Sequence, residues 1–516
     1  MANAPYDTGW LKWVGVEIKG EIRDIQIAEP LLDEEAQSYS LETLSKKYLG
    51  VSKNEDMLNE ALAAYGQKSK DGLHVLPSEY VGPYGEDDAF LTLQIFKKQR
   101  PLLQKEQLWD LFLLENKLVP IIVDMYQKGI RIDQKQAGIL NEECKKHENI
   151  LRNRIGKKRN IWATADIAEL FREHKIPIPK TDKGNDSITA DYLKSISDKF
   201  PVAGDVHELR ELNRLREVFI DKLLLQLPVN GRIHPLHIQI AREDGGTRTG
   251  RFSCKSPNIQ QVPKRSKLGK TLRKCFIPSD GLTWASLDYN SQEVRILVHY
   301  AVLLNLPKSK EAKEALESGV KLYTFIEKEA GIDYATAKSM TLGRMYGMGV
   351  GTMSRQINKS KEECYDLLQR LDEMCPFISR LSKSASQSAQ KKGFVKTLLG
   401  RKRHFDFWTP PNAPRGTIPV KGKKQASERF PNERLQRAYT NKALNAIIQG
   451  TAADQTKLAM LEAYKQGFTP LMSVHDEINF EVKNEDEAKT LKKIMEDALP
   501  MRVQTIADLS LNHYWG

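Results

Sequence analysis

The chain reads as an α+β protein whose small sheet is assembled from two distant segments, with a largely helical insertion between them. Three stretches carry this reading. WASLDYNSQEVRILVHY is an apolar strand that ends on Asp288 and turns into a helix. SVHDEINFEV is a strand, a tight polar step and a second alternating strand, a hairpin expected to lift Asp476 and Glu477 out of a sheet. NKALNAIIQGTAADQTKLAMLEAY, just before it, is one long helix. Carboxylates at the ends of neighbouring strands are a common way to hold two divalent cations over a phosphate. Taken alone, HDE is no more than a solvated turn; paired with Asp288 it points to metal-assisted chemistry.

The other elements follow in order. Residues 1–110 mix short strands with helical periods such as DAFLTLQIFKKQ. A long amphipathic helix is expected from about Leu111 to Asp133, ending at Gly129. Residues 135–230 show helical spacing and charge, broken by the loop PIPKTDKGNDS. Residues 232–300 are strand-rich and 310–400 helix-rich, and no period of 20–50 residues repeats. Residues 401–437 are studded with proline and carry ten Lys/Arg against three Asp/Glu. After the hairpin come another helix and a short tail.

At 516 residues the chain exceeds a single core. Its 40% hydrophobic and 28% charged composition is that of a globular protein, and a net charge of +12 suits a polyanionic partner. The five cysteines (Cys144, Cys254, Cys275, Cys364, Cys375) are scattered, so neither a zinc site nor a disulfide framework is expected, and a reducing interior suits them. No signal pattern opens the chain, and the longest apolar stretch, near Ile296 to Leu306, is too short to span a bilayer. No membrane association is expected.

Three further stations carry chemistry. In ATAKSMTLGRMYGMGVG, Lys338, Leu342 and Tyr346 lie four apart on one helical stripe. The lysine can meet a triphosphate as a point charge and the tyrosine can stack on a base; an ordinary amphipathic helix with a glycine stop reads the same way. In GGTRTGRFSCKSPNIQQVPKR, Arg251, Asn258, Gln260 and Arg265 are long hydrogen-bonding groups suited to sugar-phosphate and minor-groove contacts, or to a polar surface loop. Lys442, Asn445 and Gln449 share one helix face, facing a groove or solvent.

In order, TRTGRFSCKSPNIQQVP, DYNSQEVR, KSMTLGRMYG, NAIIQGTAAD and VHDE resemble the motifs of the family A (Pol I-like) DNA polymerases, with phage-type features. GFVKTLLGRKRHF and ENKLVPIIVDMYQKGIRID look like further landmarks of that family. The resemblance implies a right-hand polymerase (palm, fingers, thumb) preceded by a truncated RNase H-like α/β exonuclease domain. It divides the chain into an incomplete 3′-5′ exonuclease-like domain (1–110), a connecting helix and thumb (111–231), palm (232–310), fingers (311–439) and the second part of the palm (440–516). It implies template-directed addition of dNTPs to a primer 3′-hydroxyl with release of pyrophosphate. Asp288 and Asp476 would hold two Mg²⁺ ions, with Glu477 in support. Lys338 would steady the β/γ-phosphates, with Arg265 assisting, and Leu342 and Tyr346 would lie by the incoming nucleotide and templating base. Arg251 and His475 would hold the primer end, with Asn258, Gln260, Lys442, Asn445 and Gln449 along the DNA. Glu293 matches the bulky gate beneath C2′ that selects deoxynucleotides. The implied home is the cytoplasm of a bacterial or phage-infected cell. A DNA-binding remnant without turnover and a relative of the single-subunit RNA polymerases are the alternatives.

Two departures fall on the fingers helix. Tyr334 stands where the family usually has an arginine one turn before the lysine, and Arg344 points elsewhere on the helix. Leu342 replaces an aromatic residue. At the N-terminus, NAPYD resembles the second motif of the family's proofreading module, with Asn3 and Asp7, and YGEDD the third, with Tyr84 and Asp88. The first motif, an Asp-x-Glu strand, is missing. Weak proofreading is therefore expected from a fragment, a dead relic, or one half of a split gene completed by a separate N-terminal exonuclease chain.

Overall fold

The computed structural model describes residues 1–181, 183–241, 245–264, 266–414 and 416–516. Its central sheet has four antiparallel strands in the order Met472–Val474, Glu477–Val482, Thr283–Tyr289, Ala507–Asn512. Thr283–Tyr289 lies between two partners and is buried over most of its length, at Trp284, Ala285, Ser286, Leu287 and Tyr289. The amide of Asn479 sits inside the sheet, where its oxygen accepts from Trp284 Nε1 and Ser286 Oγ, both at 2.8 Å. The fourth strand lies in the stretch expected to be a short tail. Its alternation, ADLSLN, is a strand signal, but only pairing with Thr283–Tyr289 gives it a sheet to join.

Helix Ala443–Lys465 is buried along most of its length. Its run of small residues, Gly450 to Ala453, lets other segments approach closely on several sides. The insertion between the two halves of the sheet is helical, from Gln292–Leu303 to Pro376–Lys392, around a core that includes Ile326, Met340, Leu371 and Phe377. Two small sheets follow: Phe394–Lys396 with Lys402–His404, then Phe407–Thr409 between Val420–Lys421 and Gln436–Arg437.

The helix expected over 111–133 is divided into Trp109–Lys117 and Val119–Lys128, followed by the strand Ile130–Ile132. Pro120 enters the first turn of the second helix, where its missing N–H is tolerated, and so starts a new helix instead of continuing the old one. Gln134–Ile155 packs against Pro201–Arg214 and the π-helical continuation Leu215–Gln226.

The N-terminal region departs most from expectation. Among the described residues no strand precedes Ile130, so the short strands expected in 1–110 are absent and an RNase H-like sheet is not formed there. The buried positions follow a helical period. Leu91, Ile95, Gln99 and Leu103 recur every four residues and form the buried stripe of one long helix, Ser78–Lys105. The remaining apolar runs are short and fold as helices such as Ile25–Leu32. Among the described residues no helix is long and apolar enough to cross a membrane.

A buried charge network ties three regions together. Glu115, Arg401, Asp454 and Lys457 are at most 5% exposed. Lys457 Nζ donates to Glu115 Oε1 and to the Gln239 carbonyl, both at 2.6 Å, and Arg401 Nε donates to Asp454 Oδ1 at 2.8 Å. Arg401 also pairs with Glu115, and Thr397 Oγ1 donates to Asp454 Oδ2 at 2.6 Å. Two cations and two anions cancel, which makes their burial tolerable. Gly250, at φ 83°, leaves room for this network: a Cβ there would lie 2.7 Å from the Arg401 guanidinium. Asp454→Ala, which strands Arg401, is expected to cost about 3–5 kcal/mol of stability by chemical denaturation. A loss under about 1 kcal/mol would show that the network is not structural.

Candidate active site

The site is built by strand register. Asp288, near the end of Thr283–Tyr289, lies directly opposite Glu477 on Glu477–Val482. The hairpin turn is only His475 and Asp476, and His475 takes φ 59° to close it. The Asp476 carbonyl accepts from the Tyr289 N–H at 3.2 Å, so Asp288 and Asp476 are adjacent although 188 positions separate them in the chain.

The three acids differ in setting. Burial, then repulsion from Asp476, raises the pKa of Asp288. Burial also raises that of Asp476, with Arg251 and Lys264 opposing. Glu477 is not lifted out of the sheet as expected. It is the first residue of its strand and is buried, because its Oε1 accepts from Trp515 Nε1 at 2.8 Å and Asn479 Nδ2 at 2.9 Å. Its Oε2 faces Lys264, whose ammonium lies 3.1 Å from it and 3.0 Å from Asp288 Oδ2.

This donor set suits divalent cations. Burial disfavours the charged form of both acids, a cost that added positive charge relieves, and an ammonium already stands beside Asp288. Among the described residues no three His, Cys, Asp or Glu side chains form a ready-made cage. Mg²⁺ sites in phosphoryl-transfer proteins use one or two carboxylates and leave positions for phosphate and water.

A second cluster surrounds Glu293, on the first turn of Gln292–Leu303. Arg251 pairs with its Oε1 and the Tyr346 hydroxyl donates to its Oε2, each at 2.5 Å. Burial and then Glu293 raise the Tyr346 pKa, with Arg251 and Gln449 opposing. Arg251 and His475 line one small cavity, and the neighbouring arginine, after burial, lowers the His475 pKa. Asn445 keeps a buried Oδ1 with no partner, while Lys442 is exposed over the Tyr439 ring.

Lys338 and Leu342 lie on helix Tyr334–Met345, which Tyr346 caps. Lys338 stands over the Tyr323 ring at 6.0 Å and, among the described residues, has no ion pair. Tyr334 packs edge-on against Tyr323 at 5.9 Å. Arg344 is occupied by Asp372 at 2.7 Å. Gly347, at φ 67°, passes beside the Asn441 backbone, where a Cβ would meet a carbonyl oxygen at 2.4 Å.

Other expected residues are spent on the fold. Gln260 Nε2 donates to the carbonyls of Phe252 at 3.3 Å and Ser473 at 3.1 Å, leaving only its oxygen for DNA. The exposed Asn258 accepts from Gln260 N at 3.1 Å to start a short turn. Arg265 lies outside the described residues. Asp7 and Asp88 line a cleft of about 660 Å³ formed by residues of the N-terminal region. Asp88 pairs with Lys53 at 2.6 Å, and that ammonium lies over the Tyr84 ring at 4.7 Å.

Lys264 and Trp515 are the contributors that sequence reasoning missed. Nothing in VPKR marks its lysine over its arginine, and a tryptophan near the chain end reads as packing.

Paired acids on abutting strands, set by register and a two-residue turn, are an arrangement suited to metal-assisted phosphoryl transfer. The DNA polymerase family A model matches residues 132–516. The chain is 30% identical to the DNA-directed DNA polymerase of Pseudomonas phage M6, over 100% of this chain and 82% of that protein. It is 26% identical to DNA polymerase DpoZ of Salmonella phage PMBT28, over 97% of this chain and 86% of that protein. With DNA polymerase I of Chloroflexus aurantiacus it shares 28% identity over 96% of this chain but 52% of that protein, about half the bacterial relative's length. The solved POL domain of Pol1 from M. smegmatis, in complex with DNA primer-template and dNTP, has the same fold: TM-score 0.78 and 23% identity, over 100% of this chain and 85% of that chain. The chain belongs to DNA polymerase family A and is a DNA-directed DNA polymerase.

The raised pKa of Asp476 means that its charged form destabilises the metal-free fold. That penalty is full above the folded pKa and disappears as pH falls through it towards the ordinary value of 3.8. Asp476→Asn should therefore raise the neutral-pH Tm of the metal-free protein by roughly 1–4 °C, with the gain shrinking on acidification. A lower Tm at neutral pH would contradict this electrostatic account.

Proposed function

We propose that Asp288 and Asp476 hold two Mg²⁺ ions over the primer 3′-hydroxyl and the α-phosphate of a dNTP, with Glu477 and Trp515 fixing the Asp288 strand end. The supporting observation is the register that sets Asp288 opposite Glu477 beside the Asp476 turn. Bound divalent ions supply the charge that lowers the hydroxyl pKa and screens the leaving pyrophosphate. Lys338, without a carboxylate partner among the described residues, meets the β/γ-phosphates. Tyr334 next to it brings no charge, so triphosphate binding leans on Lys338 and Arg265. Asn445, with its unpaired oxygen, and Gln449 face the minor groove, and Arg251 and His475 hold the primer end.

Glu293 is the sugar gate. Its carboxylate is fixed on both oxygens by Arg251 and Tyr346, so it cannot swing aside for a 2′-hydroxyl. Residues 111–231 form the connection and thumb, 232–310 and 440–516 the palm, and 311–439 the fingers. In residues 1–110, Lys53 neutralises Asp88, which supports weak proofreading from this chain alone or dependence on a separate exonuclease chain. The bacterial or phage-infected cytoplasm is the proposed setting, in keeping with the phage and bacterial sources of its relatives.

Primer extension with Mg²⁺ tests the central reading. Asp288→Asn and Asp476→Asn should each lower kcat by at least about 10³-fold with primer-template binding retained. Activity within tenfold of wild type would remove them from the metal site. Glu293→Ala should raise ribonucleotide incorporation by at least about tenfold in competition assays; unchanged sugar discrimination would remove Glu293 from the gate.

A further inference from the structure

Among the described residues, Lys264 is a charged group at the carboxylates to which the proposed reaction gives no role. Its backbone is fixed on both sides. Val262 is buried, and the Ser266 hydroxyl accepts from the Gly269 N–H at 3.0 Å to cap helix Lys267–Arg273. The side chain is not fixed in the same way: it is 59% exposed, yet it reaches Asp288 Oδ2 at 3.0 Å and Glu477 Oε2 at 3.1 Å. Glu477 has its other oxygen filled by Trp515 and Asn479, so the ammonium is the cation facing its remaining oxygen. Arg273 cannot take that place, because its guanidinium is stacked 3.7 Å from the Trp515 ring centroid.

An ammonium between two carboxylates occupies the ground that a divalent ion must take at Asp288. We propose that Lys264 is a built-in stand-in cation. In the free enzyme it holds the Asp288–Glu477 oxygens against metal, and it moves off when nucleotide phosphates offer its mobile ammonium a new partner. Occupancy by metal is thereby coupled to arrival of substrate. The side chain is suited to such an exchange, because lysine is a compact charge on a flexible four-carbon stem. It can trade a carboxylate for a phosphate without moving the backbone. The proposal rests on the reading of Asp288 as a metal ligand.

Binding of Mn²⁺ to the full chain without DNA, followed by electron paramagnetic resonance of the free ion, separates the two ideas. Lys264→Met should bind Mn²⁺ roughly three- to tenfold more tightly than wild type, as removal of a partly exposed ion-pair competitor implies. Lys264→Arg, which keeps a cation in place, should stay weaker than Lys264→Met. With saturating dNTP the gap between wild type and Lys264→Met should narrow. Equal or weaker binding by Lys264→Met, while Asp288→Asn still weakens Mn²⁺ binding, overturns the stand-in role and leaves the metal site intact. If Asp288→Asn binds Mn²⁺ like wild type, the metal-site reading falls and the stand-in role with it.

Discussion

The constraint on which the rest depends is the concentration of negative charge at one corner of the sheet. Antiparallel pairing puts Asp288 against Glu477, and a two-residue turn brings Asp476 alongside. Folding must bring these like charges together, and the antiparallel pairing of the strands over a buried core of Leu287, Ile478 and Phe480 holds them in place. Such a corner is costly for stability and useful only if cations arrive, which is how strain at a functional site is usually sustained.

The surrounding structure can be understood as a response to that charge. Lys264 stands at the carboxylates, Arg251 pairs with Glu293, and Tyr346 brings the end of helix Tyr334–Met345 to the same glutamate. Glu293 therefore links the sheet side of the cleft to the helical insertion through short hydrogen bonds. Beneath, the Glu115–Arg401–Asp454–Lys457 network ties the N-terminal helices, the end of the insertion and the long Ala443–Lys465 helix into one body. Burial pushes the Lys457 ammonium down to about 8 despite its glutamate partner.

Much of the site was legible in the sequence because its chemistry is written in short contiguous motifs. The DY step after an apolar strand and the HDE turn each state their local geometry, and their pairing follows once one sheet is assumed. Glu477 belongs to the strand and not to the turn, and that is invisible in HDE because it depends on a partner indole 38 positions away. Gln260 looked like a DNA contact, but two backbone carbonyls claim its amide, and nothing local announces them. The final strand and the all-helical N-terminal region were lost for a related reason. Short apolar runs carry no decisive period until a partner edge is present or absent. Lys264 was hidden because a lysine beside an arginine in a loop has no periodicity to read.

The most direct measurement is anomalous diffraction from Mn²⁺ in crystals of the protein with primer-template and a non-hydrolysable dNTP. The account predicts two peaks about 3.5–4 Å apart, with Asp288 and Asp476 both contributing oxygens. Peaks located elsewhere, or carboxylates of Asp288 and Asp476 facing away from every bound ion, would contradict it.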